Sequence, residues 1–279
     1  MRIISAKKIT EAVANLCLKA NCSLREDVLR RIRSVYRSEP NKKAKAALAD
    51  IIKNAEIAHR EKMAICQDTG LPIVFIEIGQ EVRIKGDLKK AINSGIIKGY
   101  KKGNFRESIV SNPLKRNKPS YRGAVIHMEL VKGSRIKITV MPKGFGCENK
   151  STLKMFLPTA GIDEIKEFVV GAVKSAGPDA CPPYVVGVGI GGGAEYAGFL
   201  AKKALLKRGV SPNEARGAVS GLERDLLNRI NKLKIGPMGL GGKTTALAVN
   251  VETYPTHIAG LPIAVNLSCH ALRSATVIL

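Results

Sequence analysis

Four of the six cysteines in this 279-residue chain stand among turn-forming residues: Cys66 in "AICQDTG", Cys147 in "GFGCENKS", Cys181 in "ACPPYV" and Cys269 in "NLSCHALR". Loops that a scaffold holds in place are where ligands usually bind, and thiolates bind soft metals and iron-sulfur clusters. Cys17 and Cys22, in or beside an amphipathic N-terminal stretch, read instead as small buried apolar residues. None of the four loop cysteines forms a C-x-x-C pair, which leaves a structural zinc site with little support. From the residues alone, a soft-metal site built from dispersed cysteines and a set of unrelated buried thiols both stay open. Cys66 is also followed directly by Gln67, Asp68 and Thr69 before Gly70, so a thiol, an amide, a carboxylate and a hydroxyl fill consecutive positions. A simple connector would not need that chemistry, although Asp68 also suits an Asx-turn that closes a helix.

The elements that must position these loops can be read from periodicity. Ile9, Val13, Leu16 and Ala20 recur at helical spacing, and helices are expected over about 6–20, 24–37 and 41–62. Extended segments are expected at 72–78, 123–130 and 134–141, with "GDLKKAINSGIIKGYKKGN" helical between the first two and "FRESIVSNPLKRNKPSYRG" a long loop. A helix over 162–176, a buried strand "YVVGVGIG", two helices within 194–232 and short strands near 245–251 and 262–267 follow. The fold class is therefore α/β, a mixed α+β arrangement with a helical part over 1–62 and a mixed sheet with packed helices over 63–279. With no repeat or low-complexity linker, 1–279 reads as a single domain with the cysteines on its loops.

The net charge of +23, from 46 basic and 23 acidic residues, raises the possibility of nucleic-acid binding. The basic residues are spread through nearly every segment, and aromatics make up only 4% with no Trp to stack bases. Solvated helix faces explain the charge more simply, with attraction of small anions or docking of an acidic partner as further uses. Two glycine-rich stretches imitate nucleotide motifs. "GVGIGG" matches G-x-G-x-x-G but is followed by helix where an acidic strand end should stand, and "GPMGLGGKTT" has Pro237 where a P-loop needs Gly. A nucleotide-dependent oxidoreductase and a basic nucleic-acid binder are thus the distant alternatives. The N-terminus has no uninterrupted apolar run, so neither a signal peptide nor a membrane span is expected, and a cytoplasmic location is the default.

Six segments, "CQDTG", "NFRES", "KGFGCENKS", "CPPYVVGVGIGG", "GPMGLGGKTTALAV" and "HIAGLPIAVNLSCHALR", occur here in an order that resembles the α subunit, or N-terminal half, of iron-sulfur class I fumarases and L-tartrate dehydratases. The likeness extends from near the N-terminus to the last residue. It implies a 4Fe-4S cluster held by Cys66, Cys181 and Cys269, with one iron left open as a Lewis acid. It implies an activity too, the reversible hydration of fumarate to L-malate, with L-tartrate dehydration as the alternative. By the same resemblance Gln67, Asp68, Arg106 and Gly146 belong to the substrate site, and Asp68 and His257 to the catalytic groups. Lys143 is a further candidate cation, and backbone amides between Gly144 and Glu148 are expected near a substrate carboxylate. Cys147 departs from the family pattern, which commonly has Ser or another small residue there, and is expected not to be a ligand. His270 is expected to shape the surroundings of the cluster, and His127 to be an ordinary strand residue. Single-chain relatives carry a second domain after the third cysteine, so the resemblance implies a separate β subunit that completes the site, in a dimer of heterodimers.

Overall fold

The computed structural model describes residues 2–207 and 219–279. The chain forms two compact units, each assembled from separate stretches: Met1–Arg25, Asn54–Phe145 and Arg273–Leu279 in the first, Glu26–Lys53 and Gly146–Leu272 in the second.

In the first unit β2 (Leu71–Gly79), β4 (Val125–Val131), β5 (Ile136–Lys143) and β10 (Ala275–Ile278) form a sheet in the order β10-β5-β2-β4. Strand β2 runs parallel to β4 and antiparallel to β5, and pairs Leu71 with Lys143 where the two strands meet the loops of interest. Val74, Ile76, Ile138 and Val140 of this sheet share a core with Ile9, Val13 and Cys17 of α1 (Ala6–Cys22) and Ile92 and Ile96 of α4 (Leu88–Lys102). Glycines let the two helices approach closely. A Cβ at Gly95 would lie 2.7 Å from the Thr10 carbonyl oxygen, and one at Gly99 would lie 2.6 Å from that of Ala14. The Asp87 carboxylate caps α4 by accepting the Lys90 amide at 2.9 Å. Before α1, β1 (Arg2–Ser5) pairs in parallel with β3 (Val82–Lys85).

The second unit has β6 (Thr152–Phe156), β7 (Tyr184–Gly191), β8 (Ala246–Tyr254) and β9 (Leu261–Ser268) in the order β6-β9-β7-β8. Strands β7 and β8 are parallel, whereas β9 is antiparallel to β7. Period-two alternation sends Val186 and Val188 of β7 into a core with α6 (Ile162–Ala176) and α8 (Ser220–Asn231). Gly187 and Gly189 sit against α7 (Ala194–Ala204), where an added Cβ would come within 2.0 Å of the Ala201 carbonyl oxygen or 2.1 Å of that of Ala197. The first two glycines of "GVGIGG" thus serve close helix-on-strand packing, and Gly191 and Gly192 take positive φ at the end of the strand. Helix α2 (Glu26–Ser38) buries Val28, Ile32 and Val35 and exposes Arg30, Arg33 and Arg37, which is the solvated basic helix face expected from the charge distribution. Helix α3 (Lys42–Glu61) and the single turn α5 (Phe145–Glu148) each contribute residues to both units.

The expected helices and long strands are present within a few residues of their predicted bounds, with 208–218 outside the described residues. Strands β1, β3, β6 and β10 were not expected. Each has only four or five residues, too few for alternation to register, and is fixed by a partner distant in sequence.

The α1–α4 contact yields a paired stability prediction. Gly99→Val should lower the unfolding free energy by about 2 kcal/mol, because the backbone opposite has no side chain to move aside. Gly171→Ala in α6, where an added Cβ meets nothing within 4 Å, should raise it by up to about 1 kcal/mol through helix propensity. Urea titration of the two variants checks both signs.

Candidate active site

The turn Cys66–Gly70 is held from several directions. Its entry is fixed at Ile65, whose N–H donates to the Asn21 carbonyl at 2.9 Å and whose carbonyl accepts Nδ2 of Asn54 at 2.9 Å. The Asp68 carboxylate accepts the Gly70 amide on Oδ1 at 2.9 Å, an Asx-turn, and the Phe145 amide on Oδ2 at 2.7 Å. The Thr69 hydroxyl donates to the Arg106 carbonyl at 2.9 Å, and the Thr69 carbonyl accepts the buried Tyr100 hydroxyl at 2.9 Å. Burial pushes the Tyr100 phenol upward, so it stays a neutral donor. Gly70 has φ +76, and a Cβ there would lie 2.7 Å from the Pro142 carbonyl carbon, so both conformation and space require glycine.

These bonds engage Asp68 and Thr69 and leave Cys66 and Gln67 presented. Gln67 is exposed, and its Oε1 lies 3.4 Å from the Cys66 thiol. The Arg106 guanidinium is exposed while its backbone is tied to Thr69, so the turn and "NFRES" are locked through main chain with the charge free to turn outward. Lys143, at 1% exposure, is a buried group rather than an open cation. The amides expected to cradle a carboxylate need one correction, since that of Phe145 is already bonded to Asp68. At Gly146 an added Cβ would meet nothing within 4 Å, so packing does not require glycine there.

In the second unit the β7–β9 pairing, with Val185 opposite Ser268, brings the start of one strand to the end of the other, and with them Cys181 and Cys269. His270 clips this corner. Its main-chain N–H points at the Cys181 carbonyl at 3.4 Å and its ring Nδ1 lies 3.0 Å from the same oxygen. A carbonyl only accepts, so that bond places the ring proton on Nδ1. Cys181 adopts φ +55 and is exposed, and the carbonyl of the following Pro182 accepts the Met238 amide at 2.8 Å.

Met238 belongs to the loop "GPMGLGGKTT", several of whose other amides are also engaged. That of Gly241 bonds the Ile235 carbonyl at 2.9 Å, and that of Lys243 bonds the buried Glu39 carboxylate at 2.9 Å. The loop braces the Cys181 corner. His257 is exposed in the β8–β9 turn, and its Nδ1 accepts the Ala259 amide at 3.2 Å, which leaves Nε2 as the outward donor in the neutral ring. His127 is a strand residue in β4, stacked 5.1 Å from the Phe75 ring.

Sequence reasoning did not single out Glu148, Lys202 and Asn266. Glu148 accepts Lys202 at 2.6 Å and the Asn266 amide at 3.1 Å, and Asn266 also donates to Ser151 at 2.8 Å. This network ties the "GCENKS" loop to β9 just before Cys269, through partners too far apart in sequence to form a motif.

All six cysteines are free, and they divide by burial. Cys17, Cys22 and Cys147 are buried, and the Cys147 thiol donates to the Ala180 carbonyl at 3.1 Å. Cys66, Cys181 and Cys269 are exposed or half-buried. Burial pushes the Cys17 thiol up to about 12 and raises Cys22 as well, which makes both poor nucleophiles and ligands. Among the described residues no group of three His, Cys, Asp or Glu could hold a single metal ion. A cluster presents separate irons to separate thiolates, and the donor chemistry of the three accessible cysteines fits that demand. Brief iodoacetamide treatment of the native, metal-free chain should therefore alkylate Cys66, Cys181 and Cys269 and spare Cys17, Cys22 and Cys147, as read by peptide mass spectrometry. Labelling of Cys147 at the rate of Cys181 would contradict the division.

Residues 10–278 match the model of the fumarate hydratase (fumerase) family. The chain is 39% identical over 276 residues to a Methanocaldococcus jannaschii protein named "Putative L(+)-tartrate dehydratase subunit alpha", with 96% of each chain covered. It is 28% identical over 278 residues to L(+)-tartrate dehydratase subunit alpha of Escherichia coli O157:H7, with 98% of this chain and 91% of the relative covered. The corresponding subunit of Escherichia coli K12 is 26% identical over the same 278 residues. No described helix is long and apolar enough to cross a membrane. With a family model spanning nearly its whole length, the chain belongs to the fumarate hydratase family and is an enzyme of the hydro-lyase class.

Proposed function

We propose that the chain is the α subunit of an iron-sulfur hydro-lyase that hydrates fumarate reversibly to L-malate. The observation that carries the reading is the division of the cysteines: the three whose flanking motifs resemble those of cluster ligands are the three that are not buried. Cys66, Cys181 and Cys269 would hold a 4Fe-4S cluster, while Cys147 keeps its bond to Ala180. When bound, such a cluster supplies an iron without a protein thiolate, a Lewis acid for hydroxyl and carboxylate oxygens. The names of the relatives favour a second reading, in which the substrate is L(+)-tartrate.

This chain's own residues bind and orient. Arg106 offers a planar fork suited to one substrate carboxylate, and Gln67 offers an amide from a turn that is already rigid. The outward Nε2–H of His257 can donate to the other carboxylate or carry a proton. Asp68 orients the turn through the main-chain amides on both its oxygens and keeps lone pairs with which to relay a proton, and the Gly146 backbone lies open to a ligand. Three such groups are too few for two carboxylates and a proton transfer. A separate β subunit would therefore supply further cations and the proton-transfer group and cover the site from water, in a dimer of heterodimers. Six free thiols suit a reducing compartment such as the cytoplasm.

Anaerobic co-expression with the candidate β subunit, iron reconstitution and a panel of fumarate, L-malate and L(+)-tartrate test the reading. Cys181→Ser should abolish iron retention and turnover, whereas Cys147→Ser should keep both. Arg106→Ala in the assembled enzyme should weaken substrate binding by about 2 kcal/mol with iron content unchanged. A colourless, iron-free protein that turns over dicarboxylates, or an inert one with its cluster and partner in place, would overturn the proposal.

A further inference from the structure

Arg273 is the one arginine buried among the described residues, at 3% exposure. It follows Cys269 by four positions and leads into β10. Its Nη2 donates to the main-chain carbonyl of Asp68, its Nε to that of Pro142 at 3.4 Å, and its Nη1 is buried with no hydrogen-bond partner. Among the described residues its bonds go to main-chain carbonyls and none to a carboxylate. A cation held this way is poorly compensated, and a Leu or Met of similar volume would fill the space at less cost. Packing therefore does not account for the guanidinium. Its geometry does, because a fork can hold two main-chain oxygens that lie on different segments.

Those segments are the site turn and the end of β5. Asp68 already bonds the Phe145 amide through its carboxylate, so Arg273 adds a second strap between the same two stretches, from the Asp68 carbonyl to Pro142. The turn is also held at Ile65 and Thr69, but the Asp68 carbonyl, next to Cys66 and Gln67, is held by Arg273. Together the two straps fix the Asp68 main chain, and hence the direction in which Cys66 and Gln67 point.

We propose that Arg273 is the positioning residue of the Cys66–Thr69 turn, clamping the Asp68 main chain to the end of β5. The inference rests on the hydro-lyase reading only for the purpose of the turn, the presentation of Cys66 and Gln67. The clamp itself can be measured without turnover.

Hydrogen–deuterium exchange on the full chain compares wild type with Arg273→Met and Arg273→Lys. In Arg273→Met, peptides over 64–71 and 142–146 should exchange at least tenfold faster while those over 184–191 and 246–254 keep the wild-type rate. Arg273→Lys, with one donor able to reach one carbonyl, should recover part of the protection. In Arg273→Ala, a few millimolar guanidinium chloride should restore protection at 64–71, and sodium chloride at equal ionic strength should not. Unchanged exchange at 64–71 in Arg273→Met, or faster exchange across all peptides that guanidinium fails to reverse, would overturn the clamp. Failure of the hydro-lyase reading would show separately, as a wild-type assembly inert toward every dicarboxylate.

Discussion

The architecture of the candidate site depends on the need to satisfy main-chain polar groups in a half-buried turn. A helix interior or a paired sheet satisfies its main-chain amides and carbonyls, whereas a turn between elements needs partners from elsewhere. Over Ile65–Gly70 the missing partners come from side chains on other segments: Asn54 to the Ile65 carbonyl, Arg273 to that of Asp68, and Tyr100 to that of Thr69. Asn54 is anchored in α3 and Tyr100 in α4, while Arg273 stands two residues before β10. The turn inherits the rigidity of the scaffold in this way, which is the condition for holding a ligand side chain in one direction.

The second unit reaches a similar end by another route. Strand pairing places Cys181 and Cys269 at one corner, and the His270 ring and main chain both address the Cys181 carbonyl. The glycine loop after α8 contributes the Met238 amide to Pro182, and Glu39 fixes the loop itself through the Lys243 amide. Accessible thiols are thereby set on braced main chain, while Cys17, Cys22 and Cys147 remain in apolar surroundings where a thiolate would be costly.

Much of this was legible in the sequence. Long helices and buried strands carry strong periodicity, so α6 and β7 match their expected bounds, and the motif around each loop cysteine separated it from Cys17 and Cys22. The Asx-turn alternative for Asp68 also proved correct as geometry. Other features were not legible, for one physical reason: they depend on partners distant in the chain. Nothing local distinguishes Arg273 from any other arginine, and its burial follows from where β10 returns to the sheet. Glu148, Lys202 and Asn266 likewise come from three elements. "GVGIGG" misleads in the opposite sense, because glycines that admit a phosphate and glycines that admit a helix carbonyl look the same in sequence. Only the position of the Ala201 oxygen, 2.0 Å from where a Cβ on Gly187 would stand, identifies the second use.

The engagement of Asp68 constrains where the chemistry can be. A carboxylate whose Oδ1 holds the Gly70 amide and whose Oδ2 holds the Phe145 amide is committed to shaping the turn. Each oxygen nevertheless keeps a second lone pair beside its amide bond, so the group that shapes the turn can still accept a proton without letting go of it. General bases work by moving a proton without moving their own support. On the proposed reading, Asp68 therefore orients Cys66 and Gln67 and can also relay a proton, His257 offers an outward ring nitrogen, and the partner subunit would supply further proton-transfer groups. The two roles are compatible, since the amide bonds hold the carboxylate in place and leave a lone pair on each of its oxygens.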